Sequence, residues 1–269
     1  HDSVGRQSFT NSAVRGWIYY IGEYYSAAKR FTLPTIPRAS SVSCTTANIG
    51  SNATISISRA SSSFTHTLSY AFGDLTGTIA TKTSSTSVSW TIPTTFYAKI
   101  PNAKSGTGTI TCDTYNGSTK IGSKTCSFTA TVSESASKPT LSPTVVDNNS
   151  TTTALTGDSS KFIKYYSNAS VSTGASARNS ATLTSQKITC GGKSITSASG
   201  TINAVESGSF TFSATDSRGY TTTQTVNKTL IEYIKLTCSL NAGAPTTAGV
   251  ATLKISGNYW DGTCGAVAN

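Results

Sequence analysis

The chain has no methionine, two histidines and eleven acidic residues in a length of 269. The shortage of histidine bears on catalysis first. A Ser–His–Asp or Cys–His centre needs an imidazole as its base, and His1 and His66 are the whole supply. His66 lies in Phe64-Thr65-His66-Thr67-Leu68, where strand alternation places it on one face with Phe64 and Leu68 and gives it a structural role. A glycosidase needs two carboxylates held close together. The acids here are isolated, and Asp74, Asp158 and Asp216 sit in glycine-containing turns. The chain is therefore expected not to be an enzyme and to need no cofactor. No apolar run approaches the length of a membrane span, and no signal peptide is visible. The absence of Met and the opening on His1-Asp2-Ser3 suggest a piece of a longer chain.

Metal chemistry is equally thin. The six cysteines (Cys44, Cys112, Cys126, Cys190, Cys238, Cys264) form no C-x-x-C and have no histidine beside them, which argues against zinc. They follow the apolar parity of their strands instead. Cys44 shares a face with Val42, Cys112 with Ile110, Cys126 with Phe128, Cys190 with Ile188, and Cys238 with Ile234 and Leu236. Small buried hydrophobes behave this way, so buried free thiols are favoured and imply assembly in a reducing cytoplasm. A Cys44–Cys112 bridge between two sheets is the rival. For calcium, Asp147-Asn148-Asn149 is the local oxygen-rich stretch, and a plain loop is the favoured account of it.

What is abundant is serine and threonine, with 12% charged residues and 36% hydrophobic ones. Short alternating segments then decide for β-structure over disorder. The net charge of +10 is scattered, with no basic stripe interleaved with aromatics. A solvated face is the simple account, attraction to a polyanionic wall polymer the sharper one, and nucleic acid is not expected.

Candidate strands at 41–47, 52–58, 64–72, 76–82, 86–92, 107–115 and 120–132 suit one immunoglobulin-like sandwich over 39–133, with Trp90 in its core. Ser133 to Pro139 reads as a polar hinge. Strands at 143–147, 161–166, 168–172, 180–184, 186–190, 208–215 and 220–228 suit a second sandwich over 138–230. Gly191-Gly192 and Asp216-Ser217-Arg218-Gly219 mark turns. Residues 1–36 look like the C-terminal part of a truncated β domain, and 231–269 like the start of another. The expected fold class is all-β: tandem immunoglobulin-like β-sandwich domains.

Four stretches carry a family resemblance: Leu33 to Ser40 (LPTIPRAS), Ile121 to Val132 (IGSKTCSFTATV), Ala154 to Asp158 (ALTGD) and Ala214 to Tyr220 (ATDSRGY), the last being the most specific. At these residues the chain resembles minor structural proteins of tailed siphophages that infect Gram-positive bacteria. The pattern spans most of 33–262. The resemblance implies a virion protein at the tail tip, baseplate or a fibre. Its immunoglobulin-like modules would lie between an anchoring part and a host-facing part, with no established catalytic residues.

Three functions compete: a structural and adhesion segment of a phage tail, a carbohydrate-binding chain, and the non-catalytic part of a wall-degrading enzyme. The expected partners are other virion proteins, host cell-wall polysaccharide or teichoic acid, and further copies of the chain. Aromatic rings stack on sugar faces and tolerate water. Tyr20, Tyr24 and Tyr25 in the first segment, and Tyr259 and Trp260 in a late loop, are the candidate glycan contacts. Core or inter-domain packing competes for Tyr259 and Trp260, as core packing does for Trp17 and Tyr19.

Overall fold

The computed structural model describes residues 15–18, 29–32, 38–234, 236–264 and 267–268. Two compact units emerge, one made of the residues up to Lys99 with Ser105–Thr131, the other of Ile100–Lys104 with Val132 onward.

In the first unit, β1 (Arg15–Ile18) pairs antiparallel with β2 (Lys29–Thr32). Then follow β3 (Ser41–Cys44), β4 (Ala47–Asn48), β5 (Asn52–Ser58), β6 (Phe64–Phe72), β7 (Leu75–Thr83), β8 (Ser87–Thr91), β9 (Ser105–Asn116) and β10 (Thr119–Thr131). One sheet runs β3-β5-β8 and the other β4-β10-β9-β6-β7. The chain changes sheet between Cys44 and Ala47, where β4 joins β10 in parallel. Strict period-two burial explains the sandwich. Ala53, Ile55 and Ile57 of β5 are buried against solvent-facing neighbours, and so are Ile110, Cys112 and Thr114 of β9. Trp90 of β8 crosses to the other sheet, stacking on Tyr70 of β6 at 5.2 Å and meeting Phe128 of β10 edge-on at 5.1 Å. Phe96, in the 3-10 turn Thr94–Lys99, completes this core by stacking on Phe72 at 4.2 Å.

The second unit opens with one helical turn, α1 (Glu134–Ser137), then β11 (Thr144–Asp147), α2 (Ser150–Thr156), β12 (Lys161–Ile163), β13 (Ala169–Ser172) and β14 (Leu183–Cys190). It continues through β15 (Lys193–Ile195), β16 (Ser199–Ile202), β17 (Ser209–Asp216), β18 (Thr221–Asn227) and β19 (Thr229–Ile231). Sheets β11-β13-β16 and β15-β14-β17-β18 supply one core. Val145, Val171 and Ile202 of the first meet Ile188, Cys190, Phe210 and Phe212 of the second, with Phe162 from β12. Strand β12 pairs in parallel with β19. Beyond this core, β20 (Thr237–Ala242) and β21 (Leu253–Asn258) form a hairpin, and β22 (Thr263–Cys264) pairs with β23 (Val267–Ala268).

Several expectations change. The stretch 180–190 is one strand from Leu183 to Cys190, with a register shift between Leu183 and Ser185 that interrupts its alternation. The strand expected at 161–166 stops at Ile163. Helix α2 was not foreseen. Its threonines are poor helix formers, but its ends are well built: the Asn149 side chain accepts from the Thr151 N–H, and Gly157 closes the helix at φ 65. The hinge at 133–139 carries α1, in which Ser137 is fully buried and accepts from Asn179 Nδ2 at 2.9 Å. Cys238 does not share a buried face with Ile234 and Leu236. Every residue of β20 and β21 is exposed, because no second layer covers this hairpin among the described residues. The Gly191-Gly192 turn is as expected, with both glycines at positive φ joining β14 to β15.

Candidate functional site

The turn that ends β12 is a small hydrogen-bonded loop. Ser167 Oγ accepts from the Ile163 N–H at 2.7 Å, the Ser167 N–H donates to Ile163 O at 2.9 Å, and the Tyr165 N–H donates to Val205 O at 2.8 Å. Within it Tyr165 adopts φ 70, a left-handed conformation rare for a bulky side chain. Asp147 anchors the loop from β11. Its Oδ2 accepts from Thr152 Oγ1 at 2.5 Å and from Ser167 Oγ at 2.6 Å, while Oδ1 accepts from the backbone N–H of Asn149 and of Asn168. Asn149 Nδ2 in turn donates to Tyr166 O at 2.8 Å. The candidate calcium stretch is therefore a structural clamp, its buried carboxylate occupied by four donors from the protein itself. Among the described residues no group of three His, Cys, Asp or Glu is placed to hold a metal.

The clamp presents Tyr165 and Tyr166 to solvent, 38% and 46% exposed. Tyr166 meets Tyr233 edge-to-face at 4.8 Å, and Tyr233 meets Trp260 at 5.5 Å and 61°. A hydrogen bond with Tyr166, followed by burial, pushes the Tyr233 phenol above its ordinary pKa. Trp260 is half-buried, and its indole lies over Gly262, where a Cβ would stand 2.2 Å from Cζ2 of the ring. Tyr259, the next residue along, is 72% exposed. Lys164 Nζ lies 2.6 Å from Glu232 Oε2 and 5.5 Å from the centre of the Tyr165 ring. The hydrogen bond to Glu232 raises the Lys164 pKa, so the ammonium is charged and held beside the rings.

The other polar groups that might suggest chemistry are held by internal hydrogen bonds, with His66 Nδ1 and Asp216 Oδ2 buried without a partner among the described residues. His66 is fully buried, its Nε2 2.8 Å from Ser40 Oγ. Burial, and next the Arg59 charge, lower its pKa, so the ring is neutral at pH 7. Asp216 Oδ1 accepts from the Arg218 and Tyr220 N–H groups at 3.0 and 2.9 Å. In the same turn Arg218 donates to the carbonyls of Ile100 and Asn179, and the Tyr220 hydroxyl donates to Val132 O at 2.9 Å. The ATDSRGY stretch is thus a lock for loops of the second unit. All six cysteines are free thiols. Burial pushes Cys44 and Cys112 up to about 11, with smaller contributions from the Cys126 and Asp113 charges respectively, leaving both thiols inert at neutral pH.

Comparison with known sequences bears on the family. The pattern of a family described as "Siphovirus protein of unknown function (DUF859)" matches residues 1–258. The chain belongs to this siphovirus family. No curated protein matches the siphovirus chain in sequence. Among solved structures it is similar to the FN1–FN3 domains of chicken CNTN1, at 12% identity over 80% of this chain and 77% of that one, with a TM-score of 0.28. It is also similar to the Ig1–Ig3 ectodomain of mouse nectin-like molecule 4, at 11% identity over 76% and 69% with a TM-score of 0.28. A third similarity is to the fibronectin(III)-like modules of Clostridium thermocellum CbhA, at 15% identity over 71% and 95% with a TM-score of 0.23.

Of the candidate contacts in this siphovirus protein, Tyr20, Tyr24 and Tyr25 lie outside the described residues. Trp260 joins a ring cluster, and Tyr259 is exposed beside it. Tyr165, Tyr166 and Tyr233 stand beside Trp260 and were not among the sequence candidates. The paired tyrosines in Lys161-Phe-Ile-Lys-Tyr-Tyr166 offered a signal, but an apolar run reads as strand. Tyr233 has no local signal at all.

Proposed function

We propose that the chain is a non-catalytic structural protein of the siphophage virion, in the tail tip, baseplate or a fibre, where its sandwich modules act as spacers and dock on the host surface. The observation that carries this is the family match over residues 1–258, which takes in both sandwiches. The site geometry is consistent with it: His66, Asp147 and Asp216, the groups best suited to chemistry, are each committed to internal hydrogen bonds. A module of this kind needs rigidity, and two-layer β-sandwiches supply it with short loops and continuous ladders. Its partners are other virion proteins and, at the docking face, the host wall.

Mass spectrometry of density-purified particles tests the proposal, with gold-labelled antibody to locate the chain. The expected result is the intact chain in every preparation, with label at the tail end. A chain found in infected cells but absent from purified particles would overturn it.

A further inference from the structure

Tyr166, Tyr233 and Trp260 form a continuous set of rings at the β12 turn, with Tyr165 and Tyr259 exposed beside them. We propose that this surface binds a neutral pyranose polysaccharide. The inference rests on the docking role above for the source of the glycan, the host wall, and on the rings for the chemistry.

The composition of the surface suits a sugar. Tyrosine and tryptophan offer an apolar face and a polar edge, which matches the C–H face and hydroxyl rim of a pyranose. They also lose little conformational entropy on contact. An exposed aliphatic pair of the chain, Leu240 opposite Ile255, lies on the β20–β21 hairpin and is not among these rings. The charge beside the rings is already balanced. Lys164 and Glu232 are paired at 2.6 Å, so they offer hydrogen bonds to hydroxyls but little net attraction to a polyanion.

The backbone supports the same assignment. Tyr165 holds φ 70, where asparagine or glycine would sit more easily. A left-handed conformation is unfavourable for an ordinary residue, and strain of this kind gathers where a side chain is used. Gly262 provides the second support. Its missing side chain lets the Trp260 indole rest on the backbone, and any Cβ would displace the ring. Asn149 and Asp147 then hold the tyrosine turn from below, through Tyr166 O and Ser167 Oγ.

The test immobilises three probes separately, all from the bacterium on which the phage is propagated: cell walls before and after protease treatment, protease-treated wall polysaccharide, and protease-treated teichoic acid. Binding of the whole 269-residue chain is measured by surface plasmon resonance. The expected result is saturable binding to the polysaccharide that changes by no more than about twofold between low and high salt. Trp260→Ala and Tyr166→Ala should each weaken it on the order of tenfold, and Gly262→Ala should weaken it by moving the indole. Unfolding midpoints are measured alongside. If Trp260→Ala unfolds, the exposed Tyr166→Ala carries the test.

No binding to the polysaccharide, or equal affinity in the folded ring variants, would overturn the inference. So would preferential, salt-sensitive binding to teichoic acid, or binding to walls that protease removes. Particles that contain the chain while it fails to bind polysaccharide would leave the virion role standing and remove this site. Polysaccharide binding by a chain absent from particles would do the reverse.

Discussion

Two aromatic clusters in this siphovirus protein place similar rings in opposite settings. In the first unit Trp90, Phe96, Phe72 and Phe128 are all buried and close the gap between two sheets. In the second, Tyr166, Tyr233 and Trp260 touch one another just as closely, yet Tyr166 remains about half exposed. The chemical difference is the hydroxyl. Three of these four buried rings are phenylalanine, which has no polar group to satisfy, and the tyrosine that joins them, Tyr70, is only partly buried, whereas tyrosine dominates the exposed cluster. Contact between rings therefore does not by itself mark a core. The support beneath the rings does: strands with strict alternation in one case, a strained turn and a glycine seat in the other.

The contrast can be broken by mutation, and the largest effect should come from the buried cluster. Phe128→Ala should cost about 3–5 kcal/mol of stability, seen as a fall in the urea midpoint at unchanged slope. Tyr166→Ala should stay within about 0.5 kcal/mol of wild type in the same assay. Next in size is Asp147→Ala. It removes the acceptor shared by the Thr152 and Ser167 hydroxyls and the Asn149 and Asn168 N–H groups. A loss of about 2–3 kcal/mol is expected, with weaker polysaccharide binding because the tyrosine turn loses its anchor.

A smaller effect concerns pH. The folded His66 pKa lies below its ordinary value of 6.5, chiefly from burial. The unfolded chain therefore binds the proton more readily. Stability from this residue is complete above about pH 6.5 and is lost as pH falls towards the lowered folded value. Urea midpoints between about pH 7.5 and pH 5 should drop more steeply in wild type than in His66→Gln, which keeps a group for Ser40 but does not titrate there. Parallel curves would show that His66 is not the titrating group. The smallest effect is the most diagnostic. Tyr165→Asn relieves the left-handed strain and should leave stability unchanged or raise it by up to about 1 kcal/mol. The same variant should weaken polysaccharide binding.

Much of the fold was legible in the alternation. The strands Asn52–Ser58 and Phe64–Phe72 begin and end where the apolar period does, because each buries one complete face. The single strand Leu183–Cys190 was split in two because the register shift near Ser185 breaks that period. Helix α2 was hidden by its threonines, although Asn149 and Gly157 mark its ends. The site was legible only in part. Trp260 could be singled out from its loop, but its neighbours Tyr233 and Tyr166 are distant in sequence, and only the pairing of β12 with β19 brings that part of the chain back to the turn. Tyr165 needed its backbone angle to be noticed.

The proposed division is that solvent-facing rings bind while buried rings stabilise. It is tested most directly by measuring polysaccharide affinity and unfolding midpoint together for wild type and Trp260→Ala. The expected result is an affinity loss on the order of tenfold with a midpoint close to wild type. Unchanged affinity in a stably folded Trp260→Ala protein would contradict it.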